Sequence, residues 1–179
     1  MWGLAILLLL AIGLAAIYNS LVKLREQAEA AWADVDVHLK RRYDLVPNLV
    51  ETVKGYASHE EETLQKVVRA RSAAISATGP VEQGAAENFL TGALKSIFAL
   101  AEAYPQLQAA EGFRDLQASL AKLEDDIQHA RRYYNAVVRD YNTRISQVPS
   151  NLVASAFRFQ RRDLFEIDEG ERSVPEVKF

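Results

Sequence analysis

The sequence predicts an all-α protein: an N-terminal single transmembrane helix running into an antiparallel four-helix bundle with two long and two short helices. Three observations carry this reading. Met1 to Val22 contain no charged side chain. Glycine and proline are sparse, 8 and 5 among 179 residues, while alanine, leucine, glutamate and arginine dominate, a composition that suits helices. Beyond the uncharged stretch, apolar residues return at steps of three and four. The chain divides into an anchor (1–22), a helical bundle (23–149) and a C-terminal short helix with tail (150–179).

The anchor comes first. Trp2 to Ile17 read WGLAILLLLAIGLAAI. At 1.5 Å rise per residue, about 20 such residues cross a ~30 Å hydrocarbon core. In lipid the backbone amides must be satisfied internally, so the segment is helical. Gly13-Leu14-Ala15 resembles a signal-peptide cleavage site, but no basic n-region precedes it. Trp2 and Tyr18 bracket the run, as amphipathic aromatics do at the two membrane interfaces. Lys23 and Arg25 follow at once, with Lys40, Arg41 and Arg42 further on. That asymmetry favours a short N-terminus outside and a cytoplasmic body, in a single-pass protein of the cell membrane.

The first body helix continues from the anchor. Leu21, Leu24, Ala28, Ala31, Val35, Leu39, Tyr43 and Val46 form its inward stripe. Pro47 removes the amide that would bond the Tyr43 carbonyl. Leu49, Val50, Val53, Tyr56 and Ala57 keep the helical spacing, so Pro47 is a kink and not a stop. The chain reverses at Gly55–His59, where Ser58 and Glu61 read as a capping box. A second helix covers Ser58–Ala77, with Leu64, Val67, Val68 and Ile75 inward, and Thr78-Gly79-Pro80 ends it. A third covers Val81–Ala103, with Phe89, Leu90, Ala93, Leu94, Ile97, Ala101 and Tyr104 on one side. Tyr104-Pro105 marks the next corner. The fourth helix carries Phe113, Leu116, Leu120, Leu123, Ile127, Ala130, Tyr134, Val137 and Tyr141, a 3.5-residue seam of the coiled-coil kind. Val148-Pro149 ends it.

These segments resemble the LemA family. The likeness is carried by YNSLVKLREQ, AWADVDVHLKRRYDLVPNLVETVKGYASHE and Ala70-Arg71 in the first half. In the second half it is carried by LAEAYPQLQ, Phe113–Gln117, YYNAVVRDYN, and VPSNLVASAF leading to Phe157–Phe159. The resemblance implies one N-terminal membrane helix followed by a helical bundle, and it implies no reaction. The chain departs from the family pattern at Glu124-Asp125-Asp126, and at Arg158, where a glycine is frequent.

The residues spell no catalytic set. A di-metal carboxylate site needs Glu-x-x-His on two helices, and neither His38 nor His59 has an acid three positions earlier. Asp126 precedes His129, but both fall off the seam. His59-Glu60 lacks the second histidine of a zinc-protease motif, since Thr63 stands there. There is no Gly-x-Ser-x-Gly, no phosphate loop and no cysteine. Formal charge −3 and pI near 5.7 argue against nucleic acid as a partner. No cofactor is implied.

Two charged stretches stand out. Lys40, Arg41 and Arg42 fan over about 200° of helix and so cannot share one face. They read as a solvated face with ion pairs to neighbouring helices, or as a surface for an acidic partner. Phe157, Arg158, Phe159, Arg161 and Arg162 mix aromatics with arginines, as at a headgroup interface. Counting reversals along the chain brings them back beside the anchor, with Leu164 and Phe165. The alternative is that these phenylalanines cover the base of the bundle. Glu166, Asp168, Glu169 and Glu171 would turn the last residues away from anionic lipid, leaving Gly170–Phe179 loose. The function that fits is a membrane-anchored structural or adaptor protein. It would be no enzyme, acting as a homo-oligomer on the bilayer with a protein partner that the sequence does not name. A membrane-bound enzyme with a cryptic site between helices is the alternative.

Overall fold

The computed structural model describes residues 2–165, and the acidic end discussed above lies outside them. Helices are the regular structure of the described chain, with no strand among the described residues. Six helices follow in order: α1 (Trp2–Tyr56), α2 (Glu61–Ser76), α3 (Gly79–Ala101), α4 (Pro105–Ala109), α5 (Glu111–Ser146) and α6 (Ser150–Ala156). Two of them, α1 and α5, are long, and each contributes to two compact units. One unit holds residues up to Val35 with His129–Leu164; the other holds Asp36–Gln128 with Phe165.

Within the first unit, α1 changes character without a break. Residues 2–16 are exposed apolar side chains, and burial begins at Ile17. Leu21 then forms a core with Tyr141 and Ile145 of α5 and Val153 and Ala154 of α6, against which Ile17, Leu24 and Phe159 pack. Ala28 and Ala31 are buried further along α1. Trp32 lies 5.2 Å, ring to ring, from Tyr134, which makes it a packing residue.

In the second unit the α1 stripe predicted from spacing is the buried one: Leu39, Tyr43, Val46, Leu49 and Val53. Tyr56 departs from it and is exposed. The α5 seam is buried at Phe113, Leu120 and Ile127, whereas Leu116 and Leu123 are only partly covered.

The shorter helices correct the sequence reading in detail. On α2 the buried positions are Leu64, Val67, Ala70 and Ala74, while Val68 and Ile75 are exposed. Small alanines line the inner face, which allows close packing, so the bulkier β-branched pair misled the assignment. On α3 Phe89 is exposed, and the buried stripe runs through Gln83, Glu87, Leu90, Leu94 and Ile97. The capping box does not form: α2 starts at Glu61 with no side-chain cap bond from its N-cap residue, Glu60. Glu60 instead accepts from the Tyr104 hydroxyl at 3.0 Å. The α2–α3 corner works as its residues suggest. Gly79 has φ +76°, a left-handed value that glycine tolerates, and Pro80 sits in the first helical turn. The Glu82 carboxylate accepts from both the amide and the hydroxyl of Thr78, at 3.2 and 3.0 Å.

Candidate functional site

The most unusual chemistry in the second unit is a buried ionic centre. Arg42 is 3% exposed and Glu87 is 2% exposed, so both charges have left water. The Arg42 guanidinium meets Glu87 Oε2 at 3.2 Å, Glu124 Oε2 at 2.9 Å and Thr91 Oγ1 at 2.7 Å. The Tyr43 hydroxyl donates a short hydrogen bond to Glu87 Oε1. Gln83 Nε2 donates to that hydroxyl at 2.7 Å and to the Ala74 carbonyl at 3.0 Å. Burying ions costs several kcal/mol each unless geometry and hydrogen bonds are nearly complete, and here they are.

Arg42 therefore does not share a surface with Lys40 and Arg41. Those two remain exposed, with Lys40 paired to Asp36 at 2.6 Å. The reason is helical phase: Arg42 lies three residues after Leu39 and four before Val46, on the inward stripe. Glu87 likewise lies three before Leu90 and four after Gln83. Following the helical phase through the α1 stripe, and one turn back from the α3 stripe, would have found both residues. The ion pairs to neighbouring helices expected of Lys40-Arg41-Arg42 are made by Arg42, but in the interior and not on a solvated face.

Pro47 lies inside α1, on its exposed side. The carbonyl it leaves without an α-helical partner is that of Tyr43. Arg71 Nε donates to that carbonyl at 2.7 Å. One residue, Tyr43, thus receives α2 through its main chain and α3 through its side chain. Beside Arg42 opens a cleft of about 370 Å³, bordered by Thr91, Lys95, Phe98, Gln117 and Glu124.

Burial holds the Glu87 carboxyl above the usual carboxylate range, and Arg42 opposes this only in part. The Tyr43 phenol is pushed up, by burial first and by the Glu87 charge second. Folded Glu87 thus keeps its proton to higher pH than unfolded Glu87. Its contribution to stability is complete below the unfolded value, about 4.3, and is lost as pH rises through the folded value. The stability difference between wild type and Glu87→Gln is expected to favour wild type most near pH 4 and to move against it toward pH 8. Chemical unfolding of the full chain in mild detergent at a series of pH values measures this. A difference independent of pH would show that Glu87 titrates normally.

The first unit holds the aromatic and basic candidates, and it divides them. Tyr18 packs on Phe157 and Phe159, with ring centroids at 4.8 and 5.8 Å. The Arg25 guanidinium lies 5.6 Å from the Phe159 ring centre. After α6 the chain turns and runs back along α5, where motif residues hold it. The Tyr141 hydroxyl donates to the Gln160 carbonyl and the Tyr134 hydroxyl to that of Asp163, each at 2.9 Å. Asn142 bonds both the carbonyl and the amide of Arg162, at 2.8 and 2.9 Å. Arg162 also pairs with Glu29, about 16 Å along α1 from Tyr18. Arg162 is therefore spent on pinning this strap and does not stand beside Tyr18. Arg161 is exposed and Trp2 is 86% exposed at the start of α1, while Phe165, fully buried, belongs to the second unit.

Arg158 has φ +56°, in the left-handed region. The Phe159 amide bonds the Ala154 carbonyl at 2.9 Å and the Arg158 amide bonds that of Ser155 at 3.2 Å. This is a Schellman ending to α6, whose left-handed position normally carries glycine. The departure noted in the sequence therefore falls on the one strained backbone position of the turn. Arg158→Gly is expected to gain about 0.5–1 kcal/mol, the relief of left-handed strain less the added chain entropy. A shift in the denaturation midpoint at unchanged slope reads it.

No three His, Asp or Glu side chains gather closely enough to hold a metal ion among the described residues. Two inward carboxylates, Glu87 and Glu124, share one guanidinium instead.

Fold and site together define an all-helical protein with one N-terminal helix long and apolar enough to cross a membrane. The LemA family model matches residues 31–179, and the chain belongs to the LemA family. It is similar to protein LemA of Metamycoplasma hominis, 27% identical over 158 residues, covering 86% of this chain and 71% of that protein. It is also similar to magnetosome protein MamQ of Magnetospirillum gryphiswaldense, 28% identical over 174 residues, covering 83% and 64%. Magnetosome protein MamQ 2 of Paramagnetospirillum magneticum is 26% identical over 175 residues, with the same 83% and 64%. The chain thus spans just under two thirds of the magnetosome relatives it matches.

Proposed function

We propose that this protein is a membrane-anchored adaptor whose body acts through protein contacts and not through catalysis. The observation that carries the reading is α1 itself. One unbroken helix is exposed and apolar over residues 2–16 and carries a buried stripe from Leu21 onward. A helix of that kind holds a body rigidly against a bilayer. In this reading the body is an antiparallel four-helix bundle of α1, α2, α3 and α5, cytoplasmic, on a single-pass anchor with its short end outside. The charged centre is committed to the interior, so recognition falls to the surface.

That surface supports a homo-oligomer. Val68 and Ile75 stand seven residues apart on α2 and are 51% and 52% exposed. An apolar pair at heptad spacing on an outer helix face fits a second copy. The partner of this chain is a matter for crosslinking in intact cells. The enzyme alternative draws only on the cleft beside Arg42. Mass photometry of the full chain in mild detergent, with metal analysis, separates the readings. The adaptor reading expects an assembly larger than one chain that Val68→Glu with Ile75→Glu dissociates. A monomer carrying a stoichiometric metal would overturn it.

A further inference from the structure

The end of the anchor sets the depth of whatever packs against it. The uncharged run closes at Val22, and about 20 residues from Trp2 bring the span to Leu21. Ile17, Tyr18 and Leu21 therefore occupy the last turn of the span. Those are the residues on which α6 and its flanks pack: Val153 and Ala154 in the Leu21 core, and Phe157 and Phe159 on the Tyr18 ring. Whatever lies against Ile17–Leu21 shares their depth.

This same segment also exposes large apolar side chains. Val148 is 80% exposed, Leu152 is 69% exposed and Phe157 is 62% exposed. Three large apolar side chains open to solvent within ten residues, beside the end of an apolar anchor, point to an apolar surrounding and not to water. Cations lie near the same level: Lys23 is less than two turns past Tyr18, and Arg158 immediately follows Phe157. Both are exposed, and their stems are long enough to place charge at phosphate level over a buried aromatic base.

We infer that α6 with Val148, Leu152 and Phe157 is a second membrane-contacting element, set into the interfacial region of the leaflet in which α1 ends. It rests on reading α1 as a membrane anchor. The occupant of the patch is lipid: acyl-chain carbons meet Val148 and Leu152, and headgroup phosphates meet Lys23 and Arg158. The body is then fixed to the bilayer at two points, which removes free rotation about the α1 axis. Arg162, bound to Glu29, belongs to the strap above this contact.

The chain has no cysteine, so single nitroxide labels can be placed cleanly. The full chain is labelled at Leu152→Cys or Val148→Cys and reconstituted in phosphatidylcholine nanodiscs. Leu8→Cys serves as the anchor reference. Tyr133→Cys serves as the aqueous reference, being 57% exposed on α5 and about 18 Å along that helix from Ile145. Power saturation compares collisions with oxygen, which partitions into lipid, and with a water-soluble nickel chelate. Leu152→Cys and Val148→Cys are expected to collide severalfold more with oxygen than with nickel, as Leu8→Cys does, while Tyr133→Cys favours nickel. Labels at both patch positions that read like Tyr133→Cys would overturn the inference. Protection from both agents would mean that protein covers the patch, which also overturns it. A Leu8→Cys label that reads aqueous would remove the anchor itself, a separable failure.

Discussion

Arg42→Met is expected to destabilise the protein by about 3–5 kcal/mol at neutral pH, because it leaves a buried carboxylate without its cation. Methionine matches the stem of arginine closely, so little packing is lost and the cost is electrostatic. Glu87 is 2% exposed and cannot recover the loss by hydration. Glu124 fares better, its side chain being 29% exposed. The loss should shrink in acid. Without Arg42 the Glu87 carboxyl titrates still higher, since the charge that opposed burial is gone, and a protonated Glu87 needs no counter-ion. Adding Glu87→Gln to Arg42→Met should then restore a large part of the stability at pH 7.5. Unfolding midpoints of the two single variants and the double variant measure this. Additive losses would mean that the Arg42–Glu87 contact does little, and that Thr91 and Glu124 hold the guanidinium alone.

Much of this architecture was legible in the sequence, and the physical reason is that α1 and α5 bury aliphatic and aromatic residues at fixed helical spacing. Leu21, Val35, Leu39 and Val46 need only a period to be found. The centre was not legible in the same way, because a periodic search for apolar residues passes over Arg42 and Glu87. A charge in a KRR run looks solvated unless its phase against Leu39 and Val46 is followed. Phe89 and Val68 differ for the opposite reason: apolar character does not entail burial, and the inner faces of α2 and α3 use alanine, glutamine and glutamate beside their leucines. Arg158 could be marked as a departure from the family pattern, but only φ +56° explains why glycine is usual there. The strap over α5 was unreadable because it depends on Tyr134, Tyr141 and Asn142 bonding main-chain atoms, which leaves no trace in hydrophobic spacing.

Pro47 and Arg71 are expected to be thermodynamically coupled. In a continuous helix the amide of residue 47 would bond the Tyr43 carbonyl, and proline has no amide to give. Arg71 supplies the missing donor at 2.7 Å. Removing it by Arg71→Ala leaves a carbonyl in a half-buried setting with neither helix partner nor guanidinium, at a cost of about 1–3 kcal/mol. In a Pro47→Ala background the new amide can take the carbonyl, so Arg71→Ala should cost much less. Pro47→Ala alone should gain well under the ~3 kcal/mol by which proline lowers helix propensity, because the wild-type chain already satisfies the freed carbonyl. The gain should be larger in the Arg71→Ala chain. A coupling of about 1–2 kcal/mol across the four proteins is the expected result, well beyond the 0.3–0.5 kcal/mol scatter of independent sites. If the four unfolding free energies simply add, Arg71 contributes through its stem packing on α1, and the proline is accommodated by something other than its guanidinium.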